Sequence, residues 1–185
     1  KILGTIEEKT GLNIQLLDVG VWKFYPSITY SNSNVKIMNK DSSFTVENSN
    51  ILINKSYWPT SSILMDMIAT TVNYKGMEMR DAVLQAKYAE NIIHIEKLTG
   101  KIIEGLLNLN GKIDLEDTQT FTFQGQFKNI SLNTLLKQSQ VATWDRINIK
   151  LSSPDFKISG KGNDDQYWTT SLTGTFPIKG SLYFT

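Results

Sequence analysis

The sequence contains no cysteine and a single histidine, His94, in 185 residues. The absence of cysteine excludes a disulfide framework and a cysteine-ligated zinc site. One histidine cannot form a histidine metal cluster, and no serine and carboxylate can be assigned to it as a catalytic triad. His94 stands between Ile93 and Ile95 in an alternating stretch, which predicts an exposed strand residue. We therefore expect no metal or organic cofactor and no catalytic residues.

The chain also lacks an excess of charge of either sign and a long apolar run. Its formal net charge is +1, so composition gives no reason to expect a nucleic-acid partner. No apolar stretch reaches the roughly 18 to 20 residues of a membrane-spanning helix. No Walker motif, dinucleotide fingerprint or G-x-S-x-G motif is present. The chain begins at Lys1 without a signal-peptide pattern, and we expect a fragment from which an N-terminal membrane anchor has been removed.

Alternation of apolar and polar residues, the period of a β-strand, dominates what is present. The stretch 105–116, GLLNLNGKIDLE, places apolar residues on one face and Asn, Lys and Asp on the other. After a polar break, TFTFQGQFK repeats this pattern with phenylalanines. Two such strands predict an amphipathic hairpin. The predicted apolar positions of this hairpin are Leu107, Leu109, Ile113, Leu115, Phe121, Phe123 and Phe127.

The last third of the chain repeats this alternation with Ile147, Ile149 and Leu151. Glycines recur inside these strands, at Gly111 and Gly125 among others. Glycine weakens a strand but permits bulges and sharp bending. The pattern predicts a strongly twisted, curved antiparallel sheet with a half-barrel or groove-like shape.

Helix signals are few. Residues 2–10 carry apolar residues at helical spacing and are followed by Gly11, a typical C-terminal cap. Ser131 is suited to cap a second, short helix near residues 132–139. Residues 63–69 fit either a strand or a helix. We predict one mainly-β domain over residues 1–185, with an N-terminal helix and one short helix.

An aromatic stretch, Trp22 to Tyr25, precedes Pro26. Proline has no backbone N–H to donate within a β-sheet, so it is found at the end of a strand or on an edge strand. Trp22 and Phe24 would share a face and pack against the N-terminal helix. The alternative is a membrane-proximal anchor, since Trp and Tyr favour the membrane interface.

Two blocks of the chain resemble the AsmA family. The first, IEEKTGLNIQLLDVGVWKFYPSITYSNSNVKIMN, has a helix ending in Thr10-Gly11, an aromatic strand ending in Pro26-Ser27, and a strand with Asn34-Val35. The second comprises LTGKIIEGLLNLNGKIDL, FTFQGQFKNISLNTLLKQ, FKISGKGNDD and SLTGTFPIKGSLYF. Typical members are several times longer and carry a Pro-Gly loop after the Asn-Val strand, which this sequence lacks.

The resemblance implies a protein of the Gram-negative cell envelope, anchored in the inner membrane and exposed to the periplasm. Larger relatives look like bridges that carry phospholipid along a groove lined by a curved sheet. The implied partners are the membrane, through an anchor outside this chain, and a phospholipid or other acyl-chain ligand.

Three function classes are compatible with these observations. The first, which we prefer, is a module that binds phospholipid or helps to transfer it between the inner and outer membranes. The second is a structural or interaction module that assists outer-membrane assembly without holding lipid, and the third is an enzyme. The predicted lipid-binding residues are Leu107, Leu109, Ile113, Leu115, Phe121, Phe123, Phe127, Ile147, Ile149 and Leu151.

Overall fold

A computed structural model describes residues 13–17, 21–24, 28–39, 42–56, 62–74, 77–116, 118–138, 147–162 and 171–184. These residues form twelve strands and one helix of seven residues. The elements are β1 (Asn13–Leu16), β2 (Val21–Lys23), β3 (Ile28–Asn39), β4 (Ser42–Ser56), β5 (Ser62–Tyr74), β6 (Met77–Ala89), β7 (Ile92–Ile102), β8 (Gly105–Asp114), β9 (Thr120–Ser131), α1 (Leu132–Gln138), β10 (Ile147–Lys161), β11 (Thr173–Thr175) and β12 (Lys179–Phe184).

The strands form one antiparallel sheet whose spatial order is the chain order. From β3 to β10 each strand pairs with the next along the sequence. β1 and β2 both pair with β3, and β11 and β12 both pair with β10, so each edge consists of two short strands. Among the described residues the two edges are not joined, and the sheet is open. The mainly-β, antiparallel prediction is confirmed at this level.

Tight turns connect the central strands. Glu90 and Asn91 join β6 to β7 with φ values of 52° and 61°, and Ile103 and Glu104 join β7 to β8 with φ values of 48° and 64°. Positive φ at both central residues is the type I′ geometry, whose twist matches that of paired strands. Asn tolerates this conformation, whereas a β-branched residue such as Ile103 seldom adopts it.

Residues with positive φ also interrupt β4 at Asn48, β6 at Asp81 and β9 at Asn129. At the first of these, the Asn48 amide donates to Asn34 Oδ1 at 3.0 Å. Register shifts accompany Asp81 in the β6–β7 pairing and Asn129 in the β9–β10 pairing. Such bulges bend the strand that carries them and increase the local twist.

The most deeply buried apolar cluster lies beside these bulges, on β3 to β6. It consists of Val35, Val46, Ala69 and Ala82, which are each no more than 4% exposed. Trp22 packs against this cluster and stacks on Phe24 at 5.9 Å between ring centroids. Trp22 therefore has a structural contact in the sheet itself. The predicted N-terminal helix lies outside the described residues.

The second predicted helix is confirmed as α1. Ser131 caps it, because its Oγ accepts from the Thr134 amide at 3.2 Å. Residues 63–69, which fit either state, lie in β5, where pairing with β4 on one side and β6 on the other fixes them as a strand. In the part of the chain that the structure describes, no helix is sufficiently long and apolar to cross a bilayer.

Candidate lipid-binding face

The register between β8 and β9 places the predicted apolar residues of the hairpin on one side of the sheet. Leu107 stands opposite Phe127, and Ile113 stands opposite Phe121. Side chains of directly opposed residues lie on the same face. Leu115 directly follows the last residue of β8, Asp114, and is half-buried. Its amide donates to the carbonyl of Asn91, in the β6–β7 turn, at 2.9 Å.

β10 adds its residues to the same face. Ile158 stands opposite Phe123, and Leu151 stands opposite Ile130. Two irregularities shift the register between these points. One coincides with Asn129 of β9 and the other with Pro154 and Asp155 of β10, so each strand carries one extra residue and the faces stay aligned. By alternation, Ile149 belongs to the same face as Leu151, and the side chain of Ile147 lies outside the described part of the chain.

The same face continues across β7, β6 and β5 through directly opposed residues. We call the whole surface the apolar face. It carries no acidic or basic residue from β5 to β10. Its members on these strands are Ile63, Met65, Met67, Ala69, Val72, Tyr74, Met77, Met79, Ala82, Leu84, Ala86, Tyr88, Ile93, Ile95, Leu98, Gly100, Ile102, Gly105, Leu107, Leu109, Gly111, Ile113, Phe121, Phe123, Gly125, Phe127, Ile130, Ile149, Leu151, Ser153, Phe156, Ile158 and Gly160.

Most of the apolar face is half-buried. In β8 and β9 the residues of this face are half-buried or buried, and their polar neighbours are exposed. Among its large side chains Phe121 and Phe156 are the buried exceptions, at 5% and 4% exposure. Each has an aromatic neighbour: Phe121 lies 5.4 Å from Phe123, and Phe156 lies 5.9 Å from Phe176, between ring centroids. A face covered by a second layer would bury its whole set of large side chains. Half-burial indicates a face that the described part of the chain leaves open.

Glycines lie beneath the large side chains of the neighbouring strand. A Cβ built on Gly111 would come within 2.5 Å of Phe123 Cδ1, and one built on Gly125 would come within 2.8 Å of Leu109 Cβ. Phe123 is directly opposite Gly111, and Leu109 is directly opposite Gly125. The two large side chains therefore extend across the backbone of their partner strand. This packing produces a smooth hydrocarbon surface on the β8–β9 pair.

One polar side chain lies within this surface. Ser153 is 1% exposed and stands opposite Phe127, and its Oγ has no hydrogen-bond partner. The ring of Phe127 is in turn 6.0 Å from that of Phe156, between centroids. Alternation from Leu151 reaches position 153, but a serine there gave no indication that it would be buried. The rest of the face offers hydrocarbon and few directional groups.

The opposite face, which we call the polar face, carries the titratable groups. His94 lies there and is exposed, as predicted from the sequence. The ion pairs among the described residues are Arg80–Glu78 at 2.8 Å and Lys101–Asp81 at 2.7 Å. Lys101 holds the pKa of Asp81 below its usual value, first through a hydrogen bond and then through its charge. No group of three or more potential metal ligands occurs within the described ranges.

Comparison of this chain with protein-family models, with curated proteins and with solved structures returned no match. The family resemblance therefore stays a prediction based on the quoted motifs.

Proposed function

We propose that this protein is a non-enzymatic module of the bacterial envelope that holds the acyl chains of phospholipid along its apolar face. The observation that carries the proposal is the continuity of this face from β5 to β10 without an acidic or basic residue. The resemblance to the AsmA family supports a periplasmic location, an anchor in the inner membrane, and a role in moving phospholipid between the two membranes.

The dimensions of the face suit an acyl chain. The face covers the six strands from β5 to β10, and a spacing of about 4.8 Å between strands gives it a width of roughly 24 Å. One leaflet of a bilayer contributes roughly 15 Å of hydrocarbon thickness. An acyl chain that spans one leaflet therefore fits across the face. A face longer than its ligand also permits movement of the ligand along it.

Curvature toward the apolar face would turn the sheet into a groove. Two observations support it: the bulges at Asn48, Asp81 and Asn129, and the greater burial of the apolar residues than of the polar residues in β8 and β9. A groove contacts a chain from several sides and removes more methylene surface from water than a flat sheet does. Each buried methylene contributes about 0.8 kcal/mol. Half a chain in such a groove would therefore remain bound through purification.

Selectivity would be low for the acyl part. Leu, Ile and Phe side chains provide surface and no directional hydrogen bonds, so chain length and unsaturation would matter little. The head group would project from the rim into water, because the face offers it no charge partner. This favours phospholipids as a class over one particular lipid.

The proposal is tested by photo-crosslinking of lipid at neighbouring positions on opposite faces. Phe123 lies on the apolar face and Gln124 on the polar face of the same strand. Benzoylphenylalanine at position 123 should crosslink phospholipid in cells, and the same group at position 124 should not. Extraction of the purified adduct and mass spectrometry identify the lipid. Equal labelling at both positions, or none at position 123, contradicts an acyl-chain site.

A charge placed on the face gives an independent measurement. Leu109→Asp should remove co-purified phospholipid, whereas Asn110→Asp, the neighbouring exposed position, should retain it with the same change in charge. Circular dichroism and urea unfolding check the fold of both variants. Ile149→Asp repeats the test on β10. Lipid retained in Leu109→Asp contradicts the site, and loss of the fold in this variant alone indicates a closed core that has no room for lipid.

A further inference from the structure

Three nitrogen-bearing side chains form a row across the polar face. Lys87 of β6 stands directly opposite His94 of β7, and His94 stands directly opposite Lys112 of β8. Thr122 of β9 is the next residue of the row, opposite Lys112. We call these four residues the cationic row. These residues are far apart in the sequence, and only the pairing of four strands brings them together.

Lys87 and Lys112 flank His94 on the two neighbouring strands. Neither of the ion pairs Arg80–Glu78 and Lys101–Asp81 includes a member of the cationic row. Nearby acidic residues are Asp66 on β5, Glu96 on β7 and Asp114 on β8. The two lysines therefore place two positive charges on the same face with one strand between them, and among the described residues neither forms an ion pair.

The row lines an open depression of about 620 Å³ on the polar face. Thr122 adds a hydroxyl donor, and Asn110 and Gln124 add amide groups. Glu96 lies at the same depression and is the one acidic residue that lines it. The donors come from four adjacent strands of the sheet, β6 to β9. Neighbouring N–H and O–H donors of this kind suit a tetrahedral oxyanion.

We propose that the cationic row binds a phosphate group. The two lysine ammonium groups supply charge, and the Thr122 hydroxyl and His94 supply directed hydrogen bonds. The phosphate belongs either to a free anion or to the head group of a phospholipid in an adjacent bilayer. Since the row lies on the opposite side of the sheet from the apolar face, this site is separate from the proposed acyl-chain site.

The first test uses the whole 185-residue chain with inorganic phosphate as the probe. Two-dimensional amide NMR should show saturable shifts at residues 87, 94, 112 and 122. The double variant Lys87→Gln/Lys112→Gln should bind at least about tenfold more weakly, because charge-assisted hydrogen bonds are lost. The matched control Lys128→Gln/Lys137→Gln makes the same change in net charge at exposed lysines outside the depression and should bind as the parent does.

The second test distinguishes the two sources of phosphate. Vesicles of phosphatidylglycerol and of phosphatidylcholine are sedimented with the parent chain and with both double variants. Binding of free phosphate that depends on the row supports a small-anion site, and vesicle binding that depends on the row supports a head-group site. If neither probe distinguishes Lys87→Gln/Lys112→Gln from Lys128→Gln/Lys137→Gln, the site is refuted. Lys87→Gln/Lys112→Gln should leave lipid crosslinking at position 123 unchanged, so failure of this site and failure of the acyl-chain proposal remain distinguishable.

Discussion

Phe123 covers Gly111 across the β8–β9 pair, and its Cδ1 would lie 2.5 Å from any Cβ at that position. Glycine is therefore required at position 111 by close approach. The ring takes the space that a side chain on the partner strand would fill. Cross-strand contacts between an aromatic ring and glycine are a known device for stabilising glycine-containing strands. This contact links the strand pattern of the sequence to the surface proposed for lipid.

Replacement of Gly111 by alanine should destabilise the sheet by about 1 to 3 kcal/mol, because the added methyl group overpacks the site. Its Cβ would also meet the backbone of β9, first at the Thr122 carbonyl oxygen and then at Phe123 Cα, at 2.9 Å. Gly180→Ala is the control, because the nearest atom to a Cβ there is Leu151 Cδ2 at 3.7 Å. The unfolding free energy of the control should remain within about 0.5 kcal/mol of that of the parent. Urea unfolding measures both, and equal effects would show that the Phe123 contact does not matter.

Phe121 and Phe123 should differ in their contribution to stability, although they alternate on one strand. Phe121 is 5% exposed, whereas Phe123 is half-buried. We expect Phe121→Ala to cost about 3 to 5 kcal/mol, the usual range for a buried phenylalanine, and Phe123→Ala to cost about half as much. Chemical denaturation of both variants provides the values. A loss of about 3 to 5 kcal/mol of unfolding free energy at both positions would mean that a second layer covers the apolar face.

Replacement by alanine should change the stability of the protein in different ways at Ser153 and at Ser131, although each residue is 1% exposed. The Ser153 hydroxyl has no partner, so its removal should be neutral or stabilising. The Ser131 hydroxyl caps α1 and interacts with Thr134 Oγ1 at 3.0 Å, so Ser131→Ala should cost about 0.5 to 2 kcal/mol. Thermal unfolding of the two variants tests the assignment. A marked loss of stability in Ser153→Ala would reveal a partner for this hydroxyl.

Asp81 should contribute to the loss of stability in acid. Lys101 lowers the pKa of Asp81 in the folded chain, so the folded state binds a proton there less readily than the unfolded state does. The contribution of Asp81 to stability is therefore present above the pKa of this carboxyl in the unfolded chain and is lost as the pH falls below about 4. Asp81→Asn keeps a residue that tolerates the φ of 52° and removes the charge.

The Asp81→Asn variant should accordingly show a flatter dependence of unfolding free energy on pH between about 4 and 2. High salt should reduce the difference from the parent, because both side chains of the pair are more than half exposed, at 62% and 63%. Urea titrations at several pH values, with and without 1 M NaCl, supply the measurement. Identical pH profiles would exclude a contribution from this ion pair.

Alternation in the sequence predicted β8, β9 and β10 because a single apolar face imposes period two on each of them. It also predicted which residues of β8 and β9 share a face, since the side-chain period of a strand leaves one choice of side. Leu115 falls just outside β8 because the partner strand β7 begins at Ile92, opposite Asp114. Residues 63–69 stayed ambiguous in the sequence because β5 carries apolar residues on both faces.

The sequence by itself determined the class of the protein: antiparallel strands with one apolar face, one short helix capped by Ser131, and no cysteine chemistry. The tertiary structure alone decided the order of the strands, the bulges that keep the apolar residues of β8, β9 and β10 aligned, and the meeting of Lys87, His94 and Lys112. The physical reason is that periodicity is a local property of the chain, written into neighbouring residues. Register is a property of two strands together, set by their hydrogen bonds and by turns such as Glu90–Asn91, and a shift of one residue would move every side chain to the other face.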